Sequence, residues 1–184
     1  IKHRCRETQV SQSGWAWSIA PLEGQRFASA SEDGSVRVWS ADSPLPDLVL
    51  EGNHPLRSVD ACADTDDGSI LLAAGDAAGH TTLWSIAASH ARRVMRFATH
   101  HGVVRKVRFF DRRLLATCGE DNQVKLWSVP EANCLWSARH ENFVTDVIRS
   151  NDASVLSSGY DGSLTVHHNA VREASSFRPV KRIA

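Results

Sequence analysis

The chain has 184 residues, enough to bury a substantial core as one domain. Its 21 Lys and Arg balance 21 Asp and Glu, so net charge argues for no polyanionic partner. No run of about 18 apolar residues offers a membrane span, and the four scattered cysteines, Cys5, Cys62, Cys118 and Cys134, lack the spacing of a disulfide framework or a zinc site. A reducing intracellular compartment, cytoplasmic or nuclear, is the expectation. The basic opening Ile-Lys-His-Arg-Cys-Arg has no apolar stretch behind it, so no signal peptide is expected, and an initial Ile fits a processed or truncated product.

In chain order, Cys5–Val10 has modest β character and Ser11–Gly14 reads as a loop. Trp15–Ala20 and Arg26–Ser31 read as strands. Glu32-Asp33-Gly34 makes a tight turn into a third strand, Ser35–Trp39, with Val36 and Val38 on one face and Arg37 and Trp39 on the other. Leu48–Leu50 is a short fourth strand. The order then repeats: Arg57–Cys62, Ile70–Ala74, His80–Trp84 and Arg93–Phe97, followed by Val103–Phe109, Leu114–Cys118, Gln123–Trp127 and Cys134–Ser137. Phe143–Ile148, Val155–Ser158 and Ser163–His167 begin a fourth set, which Val171–Ala174 would complete. No stretch has a sustained helical period, so the chain is expected to be all-β.

The segment Asp33–Trp39 returns as Ala78–Trp84, Asp121–Trp127 and Asp161–His167, with last residues 45, 43 and 40 positions apart. A sheet of four short strands cannot bury both its faces alone, so such units must lean on one another. Trp39, Trp84 and Trp127 recur at one strand position and are expected to pack between adjacent sheets.

Together these residues resemble the WD-repeat β-propeller family, over roughly residues 5 to 175. The resemblance implies four-stranded antiparallel blades, about four in this chain, at approximately 11–50, 51–97, 98–137 and 138–175. Residues 1–10 would be the outer strand of a preceding blade and 176–184 a basic tail. Family rings usually have about six to eight blades, so further blades or a partner are expected to complete the circle. His167 and His168, polar where Trp is usual, would suit a capping blade.

The resemblance also implies a buried hydrogen-bonded set in each blade, joining a loop His, a strand Ser or Thr, the turn Asp and the Trp. Carried over, this set is His100, Thr117, Asp121 and Trp127 in the third unit, and His140, Ser157 and Asp161 in the fourth. The first unit keeps Ser29, Asp33 and Trp39 without the His. In the second, Asn53-His54 is shifted and Ala74 and Ala78 take the Ser and Asp places beside Trp84. These residue types also suit a nucleophilic triad, but triads are recognised by geometry and exposure, and no catalytic residue, cofactor or metal site is assigned. The pairs His100-His101 and His167-His168 point to opposite faces of a strand and are ill suited to chelation.

A rim remains for partners. Trp15 and Phe143 enter their units at corresponding places, and Glu32, Glu120 and Tyr160 each precede a turn Asp. In the family such positions open on the narrow end of the ring, where proteins dock. Protein subunits or peptides are the expected partners of a non-catalytic scaffold in a multiprotein complex. Basic clusters such as Arg105, Lys106 and Arg108 would serve nucleic acid only if they converged beside aromatics, a less favoured alternative, and a propeller-based enzyme is less favoured still. The Trp-Asp-x-Arg signature that sometimes marks ubiquitin-ligase receptors in the family is missing from the Trp-Ser strand ends.

Overall fold

A computed structural model describes residues 12–63, 68–87, 90–150 and 152–176. Four antiparallel sheets follow one another as propeller blades, each a meander in which every strand bonds to the next in sequence. The first holds β1 (Ala16–Pro21), β2 (Arg26–Ser31), β3 (Ser35–Ser40) and β4 (Leu48–Glu51). The second holds β5 (Leu56–Ala63), β6 (Ile70–Asp76), β7 (His80–Ala87) and β8 (His90–Ala98), and the third β9 (Val104–Asp111), β10 (Leu114–Gly119), β11 (Gln123–Ser128) and β12 (Asn133–Arg139). The fourth has three strands, β13 (Val144–Arg149), β14 (Val155–Gly159) and β15 (Leu164–His167). Cys5–Val10 and most of the basic tail lie outside the described residues.

Val171–Ala174 is not the fourth strand of the last blade. It belongs to a helix, α1 (Ala170–Ser176). Asn169, at φ 60°, turns the chain after β15. Ala170, Val171 and Ala174 then form one apolar stripe, buried against Leu126, Leu135 and Trp136 of the third blade's side of the core. The spacing i, i+1, i+4 fits one helical face, and a window of four residues is too short to separate it from alternation.

The hairpins have local causes. Asn122, at φ 65°, makes the β10–β11 turn, a left-handed position that Asn tolerates. At the corresponding β6–β7 turn Gly79 has φ 85°, and a Cβ there would lie 2.1 Å from the His100 carbonyl oxygen, so only glycine fits.

Each sheet presents one face forward and one back. Ala28, Ala30, Val36 and Val38 of the first blade pack on Val59, Leu72, Ala74 and Trp84 of the second. Leu71, Ala73 and Leu83 meet Val104, Val107, Leu115 and Trp127 of the third, and Ala116, Val124 and Leu126 meet Val144, Val147 and Val155 of the fourth. The inner strands lean in series, β1 on β5, β5 on β9 and β9 on β13. Among the described residues no comparable packing joins β13–β15 to β1–β4, so the four blades form an open arc.

Equivalent positions register the open ends. Val59, Val107 and Val147 are buried against the blade before them, whereas Ile19 at the same place is 68% exposed. Val38, Leu83 and Leu126 are buried under the blade after them, whereas Val166 is 45% and its neighbour Leu164 71% exposed. The fourth blade is therefore no polar cap: its His residues lie elsewhere, and its forward face is apolar and open. Leu126→Ala should cost about 2–5 kcal/mol in urea denaturation, by cavity formation. Val166→Ala, at the equivalent exposed position, should stay within about 0.5 kcal/mol of the parent.

Candidate functional site

In the third blade, His100 Nδ1 lies 2.7 Å from Asp121 Oδ1 and Nε2 lies 2.8 Å from Thr117 Oγ1, which accepts Trp127 Nε1–H at 2.9 Å. A carboxylate can only accept and an indole N–H can only donate, so neutral His100 gives its Nδ1–H to Asp121, its Nε2 accepts from the Thr117 hydroxyl, and Thr117 accepts from Trp127. The carboxylate also accepts His101 N–H at 3.2 Å and Gln123 N–H at 3.2 Å, so one Asp ties the turn to the entering loop.

The fourth blade completes the same chain with a different donor. His140 bridges Asp161 (3.0 Å) and Ser157 (2.7 Å), and His167 Nε2 meets Ser157 Oγ at 2.8 Å. His167 thus does the work of the Trp it replaces, with its ring against Trp136 at 5.1 Å. His168 turns the other way, with Nδ1 3.5 Å from Ser154 Oγ.

The first blade also has a fourth member that residue type concealed. Gln12 Nε2 donates to Ser29 Oγ at 2.7 Å, Ser29 accepts Trp39 Nε1–H at 2.9 Å, and Ser13 N–H reaches Asp33 at 3.3 Å. Gln12 precedes its hydroxyl partner by 17 residues, as His100 and His140 precede theirs. In the second blade Ala74 is buried and His54 exposed. There Asp76 takes over as turn anchor from the end of β6, accepting Ala78 N–H (2.9 Å), His80 N–H (2.8 Å) and the Arg96 guanidinium (3.0 Å).

Burial opposes charge on Asp121, but hydrogen bonds from His100 and His101 and the Lys125 ammonium hold its carboxyl well below the usual 3.8. Burial similarly opposes the Ser35 and Arg37 bonds that hold Asp33 low. Asp161 is lowered to about 2, chiefly by the Ser163 hydroxyl and N–H. Burial lowers His100 below its ordinary 6.5 despite Asp121, and lowers His167, with the neighbouring His140 adding to the effect. The Ser, Thr, His and Asp distances match a triad, yet Thr117 and Ser157 are buried and each accepts an N–H from the residue in the Trp place.

The rim is built by a repeated irregularity. Each inner strand carries a β-bulge at its second residue: Trp17, Arg57, Arg105 and Thr145 are the residues skipped by the pairing with β2, β6, β10 and β14. A bulge re-aims its side chain out of the pleat. One backbone bond recurs beside it, from Glu32 N–H to Trp15 O (2.8 Å), Ala77 to Pro55 (2.8 Å), Glu120 to Val103 (3.0 Å) and Tyr160 to Phe143 (2.8 Å). These bonds make Trp15 and Phe143 equivalent, and Glu32, Glu120 and Tyr160 likewise.

The bulged and turn residues meet. Glu32 accepts Trp17 Nε1–H at 2.5 Å and pairs with Arg57, whose guanidinium lies 4.3 Å from the centre of the Trp17 ring. Glu120 pairs with Arg105, which lies 5.8 Å from the Tyr160 ring centre, and Tyr160 is 6.1 Å from Phe143. Trp15 stands edge-on to Trp17 at 5.5 Å. Trp15 and Tyr160 are exposed, Glu32, Glu120 and Phe143 partly so. Arg57 and Arg105 join Trp17 on this rim without a sequence signal, because a bulge is a property of register.

Two measurements follow from the network. Lowered His pKa values mean that, below pH 6.5, the unfolded chain binds protons the folded chain refuses. Stability should therefore be full above pH 6.5 and fall as pH drops beneath it, with a second loss below 3.8 as Asp33, Asp121 and Asp161 are forced to protonate. In urea melts against pH, His100→Gln should remove the His100 share of the first loss. Gln12→His should supply the missing bridge to Asp33 and raise stability by about 0.5–1.5 kcal/mol.

Comparison with known proteins agrees with this geometry. The family model described as WD domain, G-beta repeat matches residues 5–40 and 91–128. The DDB1- and CUL4-associated factor 10 of Danio rerio is 26% identical over 70% of this chain and 25% of its own length. The target of rapamycin complex subunit wat1 of Schizosaccharomyces pombe is 30% identical over 77% of this chain and 45% of its own. The chain therefore spans less than half the length of these relatives. Among solved structures, the computationally designed Ika4 protein superposes with a TM-score of 0.72 at 16% identity, covering 90% of this chain and 99% of that one. The designed Ika8 protein gives 0.67 at 16%, covering 83% of this chain and 45% of that one. With blades, network and repeat spacing in agreement with these matches, the chain belongs to the WD-repeat β-propeller family.

Proposed function

We propose that the chain is a non-catalytic docking platform that holds a peptide segment of another subunit on its bulged rim. The observation that carries this reading is the row of Trp15, Trp17, Glu32, Arg57, Arg105 and Tyr160, contributed by all four blades and set beside the Asp-anchored turns. Aromatics and Arg set among charges are the residue types that anchor interfaces. Because strands and caps already order them, a partner loses little freedom in meeting several at once. The relatives' names, a DDB1- and CUL4-associated factor and a subunit of a target of rapamycin complex, support a role within assemblies.

A hydrolytic role is poorly supported, since the hydroxyls with His and Asp neighbours are buried and committed. Nucleic acid is less supported than peptide. Arg57 and Arg105 are neutralised by Glu32 and Glu120, Arg37 and Lys125 by Asp33 and Asp121, and Lys106 and Arg108 approach Asp146 at 4.0 and 3.9 Å. Their fields are local pairs and not a continuous basic groove.

Peptides selected from a random library against the folded chain provide the test. Trp15→Ala and Arg105→Ala should each weaken the selected peptides by about tenfold or more, while Glu131→Ala, in the β11–β12 loop at the opposite end of the blades, should have no effect. Binding should change little with salt. Peptides insensitive to both rim variants, or tight RNA binding that collapses as salt rises, would replace this reading with another.

A further inference from the structure

The hydrogen-bonded rows of the third and fourth blades differ in one chemical respect. In the third, the last donor is the Trp127 indole, whose N–H can neither be given up nor become an acceptor. In the fourth it is the His167 imidazole, whose two ring nitrogens exchange donor and acceptor roles with the tautomer. Both inner histidines are shut off from water: the side chain of His100 is 0% exposed and that of His140 1%. His167 is only half-buried, within reach of solvent.

Asp161 fixes the resting direction of the fourth row. Neutral His140 gives its Nδ1–H to that carboxylate at 3.0 Å, so its Nε2 accepts from the Ser157 hydroxyl at 2.7 Å, and Ser157 Oγ accepts His167 Nε2–H at 2.8 Å. Ser163 Oγ, 3.2 Å from His140 Nδ1, donates to Asp161 at 2.7 Å and leaves that order unchanged. The other charges around the row face elsewhere. Glu141 and Arg139 beside His140 are exposed, as are Cys134 on β12 and Arg172 and Glu173 on α1, and β12 meets His167 with the uncharged Trp136 ring. On β13, Asp146 approaches Lys106 and Arg108 of the third blade and Arg149 approaches Asp111, while His168 turns to Ser154.

We propose that His167 and Ser157 form a proton relay that charges the sealed His140 from solvent. A proton from water binds His167 Nδ1, the His167 Nε2 proton passes to Ser157 Oγ, and the Ser157 proton passes to His140 Nε2. The row then holds one proton more, with every bond kept and reversed: His140 Nε2–H donates to Ser157, and Ser157 Oγ–H donates to His167 Nε2. His167 ends neutral with its proton on Nδ1, and the positive charge rests on His140 against Asp161. The third blade has no such path. A charged His100 would make Thr117 accept from His100 and Trp127 together, leaving the hydroxyl proton buried without that acceptor. Acid therefore acts in opposite senses on the two turns: it strains the anchor at Asp121 and turns the His140–Asp161 bond into an ion pair beneath Tyr160. This inference does not rest on the peptide-docking reading of the rim.

NMR of the histidine ring nitrogens in the 184-residue chain, between about pH 8 and pH 5, tests the relay. On acidification His140 should become the imidazolium, while His167 stays neutral and its proton moves from Nε2 to Nδ1. His167→Trp, which installs the fixed donor of the other blades, should lower the pH at which His140 charges by about one pH unit or more. Trp127→His should let His100 take a charge in the same range with a matching tautomer change at the new imidazole. Both variants introduce a side chain that the chain already uses at that strand position, and the parent and His167→Trp spectra decide the question alone if Trp127→His does not fold. An imidazolium at His167, a His140 still neutral at about pH 5, or a His140 that charges at the same pH in His167→Trp would overturn the proposal.

Discussion

The carboxylate at each β-turn is the interaction on which the rest of the rim depends. Asp33, Asp121 and Asp161 each accept an N–H from their own turn two residues on and another from the loop that enters the blade. A single side chain thereby fixes two segments about 20 residues apart in sequence, a closure that loop entropy would otherwise oppose. Where the second blade lacks an Asp at that place, Asp76 anchors the turn from two residues earlier and ties it to β8 through Arg96. The residue types change from blade to blade, but a buried acceptor at the turn does not. An anion can be held there because it is surrounded by N–H groups and a cation, and this is why burial fails to neutralise it.

From that anchor the rim follows by geometry. The clamped turn brings the residue before the Asp beside the bulge of the inner strand, and the recurring backbone bond keeps the two in register in all four blades. Variation is then confined to side chains: Trp17, Arg57, Arg105 and Thr145 at the bulge, Glu32, Ala77, Glu120 and Tyr160 at the turn. A constant frame with a variable border is what lets one architecture present different surfaces. Here the border is aromatic at both ends of the arc and ionic in between.

The blade order was legible because it rests on two strong signals, alternation along strands and a large indole at a fixed place. Val36, Val38 and Trp39 divide between the faces as their parity predicts. Gln12 and His167 escaped because the family pattern is written in residue types, whereas the structure needs only a donor at a given distance along the chain. An amide can replace one imidazole bond, and an imidazole can replace an indole N–H. The spacing of 17 residues back from Ser29 would have found Gln12, and that of 10 residues on from Ser157 explains His167. The bulges left no trace, since an unpaired residue is defined by its partner strand. The helix at Ala170–Ser176 was missed for a different reason: its buried stripe is decided by the third blade, on which it leans, and not by its own composition.

The open ends place the stability of this chain on a different footing from that of a closed ring. A blade gains most of its free energy from burial against two neighbours, and the first and fourth have only one each among the described residues. Val147 and Ile19 are chemically alike and sit at equivalent positions, but only Val147 is withdrawn from water. Opening by thermal fluctuation should thus begin at β1 and at β15, and spread inward through junctions of rising protection. An apolar sheet face left in water, as at Ile19 and at Leu164 with Val166, is a source of instability. The physical cause is one and the same: a propeller sheet has two faces, and water can satisfy neither.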